Sequence, residues 1–247
     1  MQVFLRLAFA ILLAATQAVH AGEFSVSPIR LELGGAVRSG AVTVRNEDKI
    51  ALMFQIEGLS WRQDESGQDV YEPAPELVYF PRLLKLEPGR EAVIRIGTRQ
   101  TLVPLEKAYR LFIEELATPD GGEATANQVK FLVRFGAPVF VRPIQPSRKL
   151  ALESFDTSAG RARWTLRNDG TQHERFEHVR LRGLDATGAE LFKRDLPQRY
   201  LLAGQSRSAT VEIPADQCGR LARLALEVLA EKSEVRRDIT LGATPCQ

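Results

Sequence analysis

The stretch QVKFLVRFGAPVFVRP, Gln128 to Pro143, decides the architecture of this chain. Val129, Phe131, Val133 and Phe135 alternate with Lys130, Leu132, Arg134 and Gly136, the period-two pattern of a β-strand with one apolar face. The run continues through Ala137, Val139 and Val141 until Pro143 stops it, well beyond the ~5–6 residues of an ordinary strand. From Asn127 to Lys149 the chain carries Lys130, Arg134, Arg142, Arg148 and Lys149 and no acid. By its alternation alone, so long an apolar strand fits either of two uses, closing a sandwich core or pairing with another chain.

The segments on either side have the same character. Short runs rich in Val, Ile, Leu and Phe are broken every ~8–12 residues by Gly, Pro, Asn or Asp, the spacing of a β-sandwich. The first half predicts strands at Phe24–Leu33, Gly40–Asn46, Leu52–Trp61, Leu77–Phe80, Glu91–Gly97, Lys107–Leu116 and Gln128–Val141. The second predicts Leu150–Phe155, Arg161–Arg167, Phe176–Gly183, Glu190–Asp195, Arg207–Ile213, Leu221–Ala230 and Glu234–Leu241. LARLALEVLAE (Leu221–Glu231) has the Leu and Ala content of a helix, but its neighbours are strands and it is read with them. Between the halves, VRPIQPSRK makes a stiff linker around Pro143 and Pro146. The expectation is an all-β chain of two immunoglobulin-like β-sandwich domains, residues 22–143 and 144–247.

Residues 1–21 read as a secretory signal peptide: one cation (Arg6), an apolar run from Leu7 to Ala15 and a small-residue exit at Val19-His20-Ala21. That run is too short for the ~20 residues of a membrane span, and no later segment is long and apolar enough, so the exported protein is not expected to be an integral membrane protein. Without Arg6 the 33 Lys+Arg become 32 against 31 Asp+Glu, a balance that argues against nucleic acid as a partner. Cys218 and Cys246 are the two cysteines. In an oxidising compartment they are a candidate disulfide, although Cys246 is penultimate.

Catalytic chemistry finds no foothold. There are three histidines, of which His20 leaves with the signal, and His173 and His178 sit in the polar stretch TQHERFEHV, where solvated side chains are expected. No HExxH, GxSxG or phosphate-binding glycine loop occurs. Glu114 and Glu115 are neighbours on a strand and point to opposite faces. No catalytic residue, metal site or cofactor is expected.

Several segments in order, FSVSPIRLEL, VRNED, YFPRLLKLEPGREAVIRIG, EKAYRLFIEEL and FGAPVFVRP, together resemble the periplasmic pilus-assembly chaperones, the PapD-like family. They cover most of Phe24 to Pro143; the second half matches only in length and strand count. The resemblance implies an L-shaped or boomerang pair of Ig-like domains that folds pilus subunits without ATP. Each subunit lacks its last strand; the chaperone lends its own strand G and then delivers the subunit to an outer-membrane usher. Strand addition of this kind takes affinity from main-chain bonds and fit from alternate side chains. The resemblance puts Val129, Phe131 and Val133 at the donor positions, with Phe135 extending the row.

The resemblance also implies two cations that hold the subunit's terminal carboxylate. Arg30 in SPIRLEL matches the first; its parity with Phe24 and Val26 leaves its facing open, since Ile29, Leu31 and Leu33 make the opposite face apolar. The usual Lys position holds Pro138, a departure that with PVFV looks like the archaic branch of the family. Arg95 and Arg134 are the substitutes. At the domain elbow the resemblance implies an interdomain salt bridge of Arg142, Glu106 and a second-domain acid, read as Glu231. The loop at about Thr118 to Asn127 is short and Gly-rich, as in chaperones of rod and archaic pili. An exported Ig-like structural or adhesin subunit is the alternative; the expectation of two sandwiches weighs against it.

Overall fold

The computed structural model describes residues 23–64, 66–117, 131–197 and 200–242; the segment read as a signal peptide, Val129, the loop at 118–127 and Cys246 lie outside them. In chain order the first half holds β1 (Phe24–Ser27), β2 (Leu31–Leu33), β3 (Ser39–Asn46), β4 (Leu52–Gln63), β5 (Asp69–Pro73), β6 (Leu77–Phe80), β7 (Leu83–Leu86), β8 (Glu91–Thr98), β9 (Lys107–Leu116) and β10 (Arg134–Val141). The second half holds β11 (Leu150–Ser158), β12 (Arg161–Asn168), β13 (Glu174–Leu184), β14 (Glu190–Leu196), β15 (Tyr200–Leu201), β16 (Ser206–Glu212), β17 (Arg223–Ala230) and β18 (Glu234–Thr240).

These strands form two sandwiches. In the first, a sheet ordered β1-β3-β8-β6 faces one ordered β2-β10-β9-β4-β5, with β7 also on β4. In the second, β11-β12-β16 faces β14-β13-β17-β18, with β15 on β13. Alternation packs each interior. Val42, Val44, Ile94 and Ile96 meet Phe54, Ile56, Leu111, Ile113, Val139 and Val141 in one core. Trp164, Leu166, Phe176, Leu181, Leu224 and Val228 build the other. The same device closes one edge of each sandwich: a buried asparagine in an RN pair. Asn46 Nδ2 donates to the carbonyls of Ile50 and Leu86, and Asn168 Nδ2 to those of Gln172 and Leu201.

Three sequence expectations are corrected. Phe24–Leu33 is not one strand: β1 pairs antiparallel with β3 in one sheet, while β2 pairs parallel with β10 in the other. Pro28 lies at the crossing, where the absence of an N–H ends a ladder. β5, β7 and β15 are additional short strands. The segment from Leu221 does extend, but from Arg223, because a 3-10 helix at Ala215–Arg220 runs into Leu221. Antiparallel pairing with β13 on one side and β18 on the other, not its Leu and Ala content, makes β17 a strand and not a helix.

A smaller cluster joins the two halves. Trp61, Ala108 and Phe140 pack against Leu202, with Tyr71 and Tyr200 beside them. Phe140 stacks on His173, ring centroids 3.7 Å apart and planes 13° from parallel. His173 is thus buried rather than solvated, because Glu106 accepts from its backbone N–H at 2.8 Å and meets its Nδ1 at 2.7 Å. Gln63 adds a polar tie: its amide donates to the Tyr200 carbonyl at 2.9 Å and its oxygen accepts from the Leu202 N–H at 3.0 Å.

Candidate functional site

Among the described residues, β10 is paired along the whole of one edge and along only part of the other. The Glu115 N–H donates to the Val133 carbonyl at 2.9 Å, so odd-numbered residues of this strand turn their backbone groups toward β9. Even-numbered residues turn the other way: the Arg142 N–H donates to the Leu33 carbonyl of β2 at 2.8 Å. β2, however, accompanies only Val139–Val141. From Leu132 to Pro138 no strand among the described residues lies on that side. Pro138 fits here, since the N–H it lacks would point to the open edge.

Side chains on the odd row lead out of the core. Ala137, Val139 and Val141 are fully buried, Phe135 and Val133 half-buried, and Phe131 is 55% exposed. Val133 and Phe135 line an open pocket of ≈ 290 Å³ with Glu23, Phe24 and Val26 of the β1 flank. Of the expected donor residues, the structure thus brings Phe131, Val133 and Phe135 onto one row. The expected strand over 128–141 is regular only from Arg134, and its first three residues lie outside the described set.

The even face of β10 looks toward the second sandwich. Next to Pro138 in register stands Arg110 of β9. Its guanidinium lies 3.8 Å over the Trp61 ring and donates from Nη1 to the Gly136 carbonyl at 3.2 Å. Its buried Nε has no hydrogen-bond partner among the described residues, and its Nη2 lies 3.9 Å from Asp69. Gly136 makes the crossing possible: a Cβ there would stand 3.2 Å from Arg110 Cδ. Sequence reasoning missed Arg110. The available signal was its register opposite Pro138, which only the folded sheet supplies.

The expected cations are not gathered in one place. Arg134, at the far end of β10, pairs with Glu57 at 3.3 Å and Glu114 at 3.1 Å and lies 3.9 Å over Phe112. Arg95 is exposed on the other sheet, in register with Ala41 and Phe80. Arg30 stands just before Leu31, where β2 takes up the edge that Pro138 leaves. Its Nη1 is 3.2 Å from Glu231 of the second sandwich and its Nε is 3.6 Å from Glu32.

The expected Arg142–Glu106–Glu231 triad does not form. Arg142 pairs with Glu32, Glu106 with His173, and Glu231 with Arg30 and, at 2.9 Å, with Arg175. The reason is that Glu106 is held, buried, by the backbone N–H and ring of His173, while Arg142 remains on the surface beside β2. Burial would raise the Glu231 carboxyl pKa, but the hydrogen bonds from Arg175 and Arg30 outweigh it and hold it below its ordinary 4.5. A depressed carboxylate contributes stability that is complete above its unfolded value and lost as pH falls through the folded one. The unfolding free energies of wild type and Glu231→Gln are therefore expected to differ at neutral pH and to converge below pH 4.5. Denaturant titrations across pH check this; a gap that widens in acid would contradict it.

The comparisons with known proteins agree with this architecture. The family described as pili and flagellar-assembly chaperone, PapD N-terminal domain, matches residues 23–146. A search of curated proteins by sequence returns no match. Among solved structures, the chain is similar to the CsuC–CsuE chaperone–tip adhesion subunit pre-assembly complex of the archaic Csu pili of Acinetobacter baumannii. The match has 18% identity and a TM-score of 0.60, over 88% of this chain and 98% of that one. It is similar to the Pseudomonas aeruginosa CupB2 chaperone, at 18% identity and TM-score 0.52 over 88% and 100%. It also resembles the Salmonella enterica complex of SafA pilin with the SafB chaperone, at 13% and 0.56 over 92% and 99%. At such identities the structural likeness speaks for the fold alone. The family match takes in half of the chain and the strand with the open edge, and on it the chain belongs to the PapD-like pilus-assembly chaperones.

Proposed function

We propose that this protein is a periplasmic chaperone of the chaperone–usher pathway that caps pilus subunits with the open edge of β10 and delivers them to an outer-membrane usher. One observation carries the reading: the edge from Leu132 to Pro138, which carries no strand among the described residues, runs beside an emerging apolar row and ends at Arg30. A guest strand on that edge lies in line with β2, which is parallel to β10. If the guest is parallel too, its C-terminal end abuts Arg30. Main-chain bonds along the edge and the burial of Phe131 and Val133 would supply the affinity without ATP. Arg30 is the first carboxylate anchor on this reading. Arg110, beside Pro138 and with a single carboxylate near it, Asp69 at 3.9 Å, is the second cation on this reading, in preference to Arg95, which lies on the opposite sheet, and to Arg134, which two carboxylates hold at 3.1 and 3.3 Å. The departure at Pro138 and the likeness to the Csu complex favour the archaic branch.

Periplasmic co-expression with pilus subunits encoded nearby, followed by pull-down, tests the reading. The expected result is a soluble complex in which the amides of Leu132, Arg134 and Gly136 become protected from hydrogen exchange, and from which Arg110→Gln releases subunit more readily. A subunit that stays insoluble with or without the chaperone, or a complex that leaves those amides unprotected, would overturn it.

A further inference from the structure

The elbow cluster holds more positive than negative charge. Three guanidiniums, Arg30, Arg142 and Arg175, share two carboxylates, Glu32 and Glu231. Arg30 is common to both: Nη1 faces Glu231 and Nε faces Glu32. A guanidinium binds a carboxylate best through two parallel N–H groups, end-on through both Nη or side-on through Nε and one Nη. Each fork of Arg30 already has one donor turned to an acid. A guest carboxylate can therefore take a full fork only by displacing Glu32 or Glu231.

Displacement leaves neither acid stranded. Glu32 keeps Arg142, and Glu231 keeps Arg175 at 2.9 Å. The two losses differ in consequence. Arg30 and Glu32 flank one residue of the same short segment, whereas Arg30–Glu231 ties the first sandwich to the second. Arg175 and Glu231 both belong to the second sandwich, on β13 and just after β17, where the Glu231 N–H also donates to the Arg175 carbonyl at 3.0 Å. Once Glu231 turns wholly to Arg175, this tie between the domains is gone.

We propose that Arg30 is an exchange switch: capture of a carboxylate there moves Glu231 from Arg30 to Arg175 and loosens the elbow. The proposal rests on the reading of Arg30 as the anchor for a subunit's C-terminal carboxylate, and adds that anchoring and domain angle are coupled. The coupling is reciprocal. A state in which Glu231 holds Arg30 binds the carboxylate more weakly, and a state with the carboxylate bound holds the elbow less firmly. A subunit seated to its last residue would thereby alter the relation between the two domains, while one seated short of Arg30 would not.

The test uses the full mature chain and a synthetic peptide of the last residues of a pilus subunit encoded nearby, with its terminal carboxylate free or amidated. Wild type is expected to bind the acid more tightly than the amide. Glu231→Gln removes the competitor and is expected to raise acid affinity about fivefold or more, at the low end of typical couplings, with amide affinity unchanged. Arg175→Gln leaves Glu231 with Arg30 alone and is expected to lower acid affinity. A general structural lesion would move both variants the same way, so opposite signs identify the exchange. Spin labels at Lys85→Cys and Lys193→Cys, one in each sandwich, should give a broader distance distribution with the acid peptide than with the amide. Weaker or unchanged acid binding by Glu231→Gln, with wild type still preferring the acid, overturns the exchange and leaves the anchor standing. Equal binding of acid and amide by wild type overturns the anchor and the exchange together.

Discussion

Phe131→Asp is expected to abolish subunit capture while leaving the free protein folded. Phe131 is 55% exposed, and no core cluster includes it. Its replacement should cost little in the unbound chain, where exposed substitutions typically stay within ~0.5 kcal/mol. In a complex the side chain would enter the apolar groove of the guest. Losing a buried phenylalanine removes roughly 1.5–3 kcal/mol, and placing a carboxylate there adds a desolvation cost of several kcal/mol more. At ~1.4 kcal/mol per tenfold, the two together exceed a thousandfold in affinity. Leu132 supplies the control. It is similarly exposed, at 48%, but has the opposite parity on the strand. Leu132→Asp should weaken capture far less, because its side chain faces away from the groove even though its backbone is on the open edge. Pull-down and competition binding of both variants would decide. Equal losses would mean that the edge acts through general stickiness and not through one row of side chains.

The apolar row was legible because alternation is a local signal: Val129 to Phe135 announces one apolar face without any knowledge of the fold. What alternation left open was whether that face lies in the protein's own core or in a partner's. The structure divides the row, with Ala137, Val139 and Val141 in the core and Phe131 outside it. The division depends on where β2 begins to flank β10, and the residue that delays it, Pro28, was visible in the sequence. The elbow was not legible. His173 stands between Gln172 and Glu174, and its neighbours predict solvent; it is buried because Glu106, 67 positions away, reaches it. Glu231 was assigned to the elbow, which is where it lies, but with the wrong cation. Its contact with Arg175 lies within the second sandwich, but its choice of Arg30 over Arg142 depends on how the two domains meet, which no local pattern encodes. Arg110 was hidden for the same reason: its significance is its position across the sheet from Pro138.

Phe140→Ala should have the largest effect on stability, and its form is as informative as its size. Phe140 is fully buried, yet it belongs to neither sandwich core. Its ring contacts Trp61 of the first sandwich at 6.0 Å and, from the second, Tyr200 at 5.7 Å and His173 at 3.7 Å, centroid to centroid. Truncating a buried phenylalanine typically costs ~3–5 kcal/mol through lost burial and the cavity left behind. Here the cavity would open between the domains, so each sandwich keeps its own interior and the loss falls on their attachment. Calorimetry should therefore show a wild-type transition that broadens or splits in the variant, with the two domains unfolding at separate temperatures. Phe140 lies on the even face of β10 and the proposed donor residues on the odd face, so the variant should still pair with a subunit. It would present that subunit at a less fixed angle, and the Arg30–Glu231 contact, made between the loosened domains, should lose the pH-dependent stability it gives the wild type. A single sharp transition displaced by less than ~1 kcal/mol would show instead that the domains are held by their polar ties, with Glu106–His173 and Gln63 sufficient without the ring.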